Sequence, residues 1–92
     1  LFLSQEEKMI AERRGGVLTR AIASLEAATP ETIKDITLEI GGAIGFYGFE
    51  EQGRELLKYS RFVAPTTSLM QFSSDKDRLL QLLRESGVNN GQ

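Results

Sequence analysis

The chain of 92 residues contains no cysteine and no histidine. Without cysteine there is no disulfide, no thiolate nucleophile and no cysteine ligand for a metal. Without histidine the commonest general base and the commonest metal ligand are missing together. No apolar run approaches the ~20 residues that a membrane-spanning helix needs, so no membrane partner is expected. The Leu1–Phe2–Leu3 start has no basic segment and no cleavage pattern, which argues against a signal peptide. Net charge is only -2, so nothing draws the whole molecule toward nucleic acid. The Gly-x-x-x-x-Gly-Lys-Ser/Thr phosphate loop and the calcium-loop spacing are both absent.

Carboxylates are present, at Glu50, Glu51 and Glu55 and at Asp75 and Asp77, but at spacings that helices use for solubility and capping. They do not set an acid against a base around a pocket. Tyr47, Tyr59 and Thr37 are single hydroxyls of the kind a separate kinase modifies, and single hydroxyls carry almost no signal. No catalytic residue, no metal site and no cofactor is expected, and the chain is not expected to be an enzyme.

Hydrophobic residues make up 40% of the chain and charged residues 26%, the balance of a folded globular domain. A single domain over residues 1–92 is expected. Because it begins at Leu1, it reads as a fragment or processed chain. A cytoplasmic location is consistent with the missing cysteines.

Four helices are predicted. Ser4-Gln5-Glu6-Glu7 has the spacing of a capping box, with Met9 and Ile10 opening an apolar side. Gly15-Gly16 either bends or breaks that helix. Beyond it, Val17, Leu18, Ala21, Ile22, Leu25 and Ala28 recur at helical spacing. Thr29-Pro30-Glu31 is a second start signal. From there Ile33, Ile36, Ile40, Ile44 and Tyr47 form a core stripe, while Leu38, Gly42, Gly45 and Phe49 fall opposite at 100° per residue. A bend is expected at Gly48.

A third helix is expected from about Phe49 to Val63, with Leu56, Leu57, Tyr59 and Val63 inward. Pro65 and Thr66-Thr67 mark its end. Ser68 to Phe72 is readable as helix or extended chain. Ser74-Asp75-Lys76-Asp77 offers a cap for a last helix carrying Leu79, Leu80, Leu82 and Leu83, which Ser86-Gly87-Val88 should stop before a frayed Asn89–Gln92. The expected architecture is all-α, an antiparallel four-helix bundle.

The stretch Thr37–Phe49 organises the rest. It sets Gly41, Gly42, Gly45 and Gly48 into an apolar helix, and each interior glycine costs about 1 kcal/mol relative to alanine. Such a surface stays bare so that something can approach it. The plain alternative is that Leu38 is ordinary core and the glycines serve helix packing; against it, the isoleucine stripe already supplies a core face.

This stretch resembles the signature of the histidine phosphotransfer (HPt) domain, His-x-x-Lys-Gly with a further glycine, which in the chemotaxis-kinase variety continues Gly-x-Phe-Gly-Phe. Ile40, Gly42, Gly45, Tyr47, Gly48 and Phe49 stand at matching positions. More weakly, Leu25–Pro30 resembles the loop before the family's active helix and Gly48–Tyr59 the helix after it. The resemblance implies an HPt-like four-helix bundle in two-component phosphorelay signalling. It departs at the chemistry: Leu38 stands at the phospho-accepting histidine position and Gly41 at the lysine position. With no histidine anywhere, the chain cannot carry phosphohistidine.

What the resemblance still implies is a docking face for a receiver (response-regulator) domain or a histidine-kinase domain, a pseudo-phosphotransfer surface. Its centre would be Leu38, Gly42 and Gly45, with Gly41, Lys34 and Glu39 around it and Asp35 on the charged rim. Burying one leucine fully is worth roughly 1.5–3 kcal/mol, and an apolar centre with a charged rim is the anatomy of a binding hot spot.

Two alternatives stand beside it. A helix-turn-helix nucleic-acid-binding domain would place its first helix over Thr32–Ile40, its turn at Gly41 and its second helix from near Ala43; Glu50 and Glu51 would then repel phosphates. A histidine-kinase dimerisation hairpin would match Leu38-Glu39-Ile40 to its His-Glu-hydrophobic start, with Ala43 where a proline usually follows.

Overall fold

The structure, a computed structural model, describes residues 14–90 together with Leu3, Ser4 and Glu6. All regular structure among these residues is helical. Gln5 and Glu7 of the predicted capping box, and the apolar start at Met9 and Ile10, lie outside the described residues.

Val17, Leu18, Ala21 and Leu25 wind onto one side of helix α1 (Arg14–Glu26). Gly15 and Gly16 belong to this helix and do not interrupt it. Its exposed carbonyl end is satisfied by Lys76, whose Nζ donates to the backbone oxygens of Ala28 at 2.9 Å and Glu26 at 2.5 Å.

The connection winds before the regular helix begins. The Ile33 N–H donates to the Thr29 oxygen at 2.9 Å, and the Thr32 hydroxyl accepts from the Thr29 N–H at 2.8 Å. That second bond is half of a capping box, with threonine in the place of the usual acid. Helix α2 (Ile33–Ile44) follows. Ile33, Ile40 and Ile44 are buried and Ile36 is half-buried, so the predicted stripe does face the core.

A short 3₁₀ turn (Gly45–Tyr47) leads to Gly48, whose φ of 97° is the one left-handed residue among those described. A side chain there is strained. Arg14 holds this turn from α1: its Nε donates to the Tyr47 oxygen at 3.0 Å, one Nη donates to the Gly48 oxygen at 3.2 Å, and its guanidinium lies 4.9 Å from the centre of the Phe49 ring. The Gly48 turn breaks the helical phase. Phe49, expected opposite the core, is therefore only 2% exposed and packs into it.

Helix α3 (Glu50–Phe62) runs back along α2. The pairing of Gly41 with Gly53 and of Lys34 with Ser60 shows the two helices antiparallel. The inner face of α3 is Gly53, Leu56 and Ser60, two small residues and one leucine, so the backbones close tightly. A Cβ on Gly41 would stand 3.0 Å from the Gly53 oxygen and 3.0 Å from the Leu57 nitrogen. The Ser60 hydroxyl donates to the Lys34 oxygen across the interface at 2.7 Å.

Helix α4 (Leu69–Asn90) starts earlier and ends later than expected. Ser68 caps it, its hydroxyl accepting from the Gln71 N–H at 3.1 Å. Ser74-Asp75-Lys76-Asp77 therefore lies inside the helix rather than at its start. Gly87 does not stop it either: Leu18 of α1 packs against that position, which makes Gly87 a site of interhelix contact. Leu79, Leu80 and Leu83 are buried. α1 packs on α2 and on α4, and α3 meets α4 more lightly, through the Tyr59 phenol donating to Asp75 Oδ2 at 3.2 Å.

Candidate functional site

The outer side of α2 carries the candidate residues. Leu38 is 55% exposed although it lies mid-helix among isoleucines that are buried. One turn on, Gly42 is exposed, and nothing lies within 4 Å of the position its Cβ would take. Lys34, one turn before Leu38, and Asp35 are exposed. Glu39 and Gly45 are half-buried. Lys34, Leu38 and Gly42 thus share one solvent-facing line at steps of four, as helical geometry requires.

Gly41 does not belong to that line. It is buried against Gly53 and Leu57, so its lack of a side chain serves the α2–α3 crossing. Between the two helices Gly41 and Gly53 form part of the lining of a mostly apolar 310 Å³ hollow, bordered by Gly45, Phe46, Leu57, Glu50 and Arg54. Phe46 is 87% exposed at its lip. The sequence reading missed Phe46. The available signal was its place one turn beyond Gly42, on the same line as Leu38.

The hydroxyls near this face are engaged elsewhere. Thr37 is fully buried, and its Oγ1 donates to the Ile33 oxygen at 2.7 Å and approaches the Lys34 oxygen at 3.1 Å. Tyr59 sits between α3 and α4, where burial first, and then the Asp75 charge and hydrogen bond, push its phenol up to about 12. The exposed line over Lys34, Leu38, Gly42 and Phe46 offers apolar surface, one cation and bare backbone, and no nucleophilic atom that accepts a phosphoryl group at neutral pH. Its chemistry is that of contact. Among the described residues no group of three or more acidic side chains is placed to hold a metal ion, and no helix is long and apolar enough to cross a membrane.

The helix-turn-helix alternative needs the chain to turn at Gly41. Helix α2 instead continues through Gly41 and Gly42 to Ile44, and the turn falls at Gly45–Gly48, where no second helix starts near Ala43.

Comparison with protein-family models, with curated proteins and with solved structures returns no match for this chain. The likeness to the phosphotransfer motif therefore stands on the sequence, on Ile40, Gly42, Gly45, Tyr47, Gly48 and Phe49 and, more weakly, on Leu25–Pro30 and Gly48–Tyr59.

Proposed function

We propose that the domain is a protein-interaction module of two-component signalling, built as an HPt-like antiparallel four-helix bundle, that docks a receiver domain on the outer face of α2 without passing phosphate. A cytoplasmic location goes with this role. The observation that carries the proposal is Leu38: it stands at the motif's phospho-accepting position and is 55% exposed directly beside bare Gly42. Leu38 lies mid-helix on the face opposite the buried isoleucines, with Lys34 one turn before it and bare Gly42 one turn after.

Helix order and packing support the bundle. α1 lies on α2 and α4, α2 on α3, and α3 on α4, so successive helices are neighbours. Leu38 supplies the apolar centre of the docking face, and Phe46 extends it toward the α2–α3 turn. Lys34 and Asp35 form the polar rim. Gly42 lets a partner loop reach the helix backbone. A histidine-kinase dimerisation domain is the second partner class that the motif implies.

The test is Leu38→Asp, assayed for binding to receiver domains held in their activated form by a phosphate mimic. The variant should keep its helical circular dichroism and its melting temperature, since Leu38 is more than half in water, while binding weakens at least tenfold. A variant that unfolds shows that Leu38 is core, and one that binds unchanged moves the interface elsewhere.

A further inference from the structure

The edge of α3 that borders the Leu38 face is cationic. Glu50, Arg54, Leu57 and Arg61 follow one another at helical steps of four, three and four, so they share one line along α3. That line faces α2: Glu50, Arg54 and Leu57 border the 310 Å³ hollow together with Gly41, Gly45 and Phe46. The other charges near it on α3 face α4. Glu51 and Glu55 line a hollow with Arg78 and Glu85, and Lys58 lines one with Asp75 and Arg78. Arg54 and Arg61 are exposed, and among the described residues neither side chain has a hydrogen bond or an ion pair.

Charge is therefore sorted across the face. At about 100° per residue, Lys34 and Gly41 fall on the α3 side of Leu38, and Asp35 and Glu39 on the far side. The α3 side carries Lys34, Arg54 and Arg61 against the single acid Glu50. Glu50 stands in the first turn of α3, where the positive end of the helix dipole offsets its charge. A chain of net charge -2 thus presents a cationic strip beside its exposed Leu38 and Phe46.

We infer that this face selects an acidic protein surface, one that lays an apolar side chain on Leu38 and Phe46 and sets carboxylates against Arg54 and Arg61. The inference rests on the docking reading of α2 and adds to it the charge of the partner. Two properties choose this occupant. A guanidinium pairs with a carboxylate through two parallel N–H···O bonds, and two unpaired guanidinium groups on one line can each take one. An exposed leucine and phenylalanine beside them call for apolar contact, which a nucleic-acid backbone does not supply. Because the arginines lie at the rim, they act chiefly on the rate of encounter and on which partner is accepted.

The experiment measures association and dissociation rates of the full chain with receiver domains activated by a phosphate mimic, at low and high salt. The chains compared are wild type, Leu38→Asp, Arg54→Gln/Arg61→Gln and a Lys58→Gln control. Both arginines are exposed and glutamine matches arginine in helix propensity, so the double variant keeps its fold, and its circular dichroism checks that. It should bind roughly tenfold more weakly, chiefly through slower association, and lose most of the salt dependence of the wild type. Lys58→Gln removes a charge on the α4 side and should bind within about twofold of wild type. Binding that weakens in Leu38→Asp but not in the double variant overturns this inference and leaves the docking reading standing. Binding that Leu38→Asp leaves unchanged, or no binding to any receiver, removes both. An equal loss in Lys58→Gln would show that overall charge is read rather than this edge. Duplex DNA bound in place of a receiver, and lost in the double variant, would assign the strip to phosphate; either result overturns the inference.

Discussion

Gly41 and Gly42 are adjacent and of one residue type, yet the structure assigns them opposite roles, and alanine at each should move stability in opposite directions. A methyl group on Gly41 would stand 2.9 Å from Leu57 Cγ and 3.0 Å from both the Gly53 oxygen and the Leu57 nitrogen. Two of those three atoms are backbone and cannot rotate away, so α2 and α3 must separate. Overpacking of this kind costs about 1–3 kcal/mol, and the separation also strains the 2.7 Å bond from Ser60 to the Lys34 oxygen. The helix-propensity gain of about 1 kcal/mol offsets only part of that. At Gly42 nothing is within 4 Å, so the same gain of about 1 kcal/mol is kept in full. The two variants should therefore differ by about 2 kcal/mol, with Gly41→Ala below wild type and Gly42→Ala above it. At roughly 4–8 °C per kcal/mol for a domain of this size, that is about 8–16 °C between their melting temperatures. Thermal and urea unfolding followed by circular dichroism reads this directly. A Gly41→Ala variant as stable as wild type, or a destabilised Gly42→Ala, would refute the placement of the α2–α3 crossing. Gly42→Ala has a second expected effect: it should weaken partner binding while raising stability, because the added methyl intrudes on the docking face.

Arg14→Ala removes two hydrogen bonds and a ring contact that hold the Gly48 turn. Because both hydrogen bonds are exposed, the loss should be about 1 kcal/mol, and hydrogen exchange should quicken at Gly48 and Phe49 before it does elsewhere; unchanged exchange there would contradict the clamp. Ser60→Ala leaves the Lys34 oxygen still approached by the Thr37 hydroxyl at 3.1 Å, so its cost should stay near about 1 kcal/mol rather than reach the ~3 kcal/mol of an orphaned buried acceptor. Tyr59 retains its proton to about 12 in the folded chain and loses it near 10 when unfolded. Its contribution is thus fully present below pH 10 and lost as pH rises toward 12. Urea midpoints across that interval should fall more steeply for wild type than for Tyr59→Phe, and parallel slopes would show that the phenol is not held by Asp75.

Local periodicity made much of this fold legible. The Ile33, Ile40 and Ile44 stripe, the inward Leu56 and Leu79, Leu80 and Leu83 of α4 were readable from spacing. The failures share one cause, which is that the deciding contact lies far away in sequence. Gly48 with its positive φ resets the helical phase and turns Phe49 inward, and a wheel drawn through the bend cannot show that. Gly87 resembles a stop until Leu18 is seen to pack on it. Ser68 and Ser74 are equally good caps by composition, and only the backbone bond to Ser68 separates them. Arg14 reaches a turn 33 residues away with no local signature. At the candidate site, the exposure of Leu38 and Gly42 follows from the wheel, but the burial of Gly41 needed Gly53. That partner was visible as a glycine in a charged helix, as far beyond Tyr47 as Gly41 lies before it; such symmetry about a turn is what two crossing helices leave in a sequence.

The most direct measurement of the central proposal is an amide-resolved NMR titration of the chain with receiver domains activated by a phosphate mimic. Shifts should cluster at Lys34, Leu38, Gly42, Gly45 and Phe46 and leave the buried Gly41–Gly53 crossing and the Leu69–Met70 start of α4 unmoved. Shifts centred elsewhere, or none with any receiver, would contradict a docking face on α2.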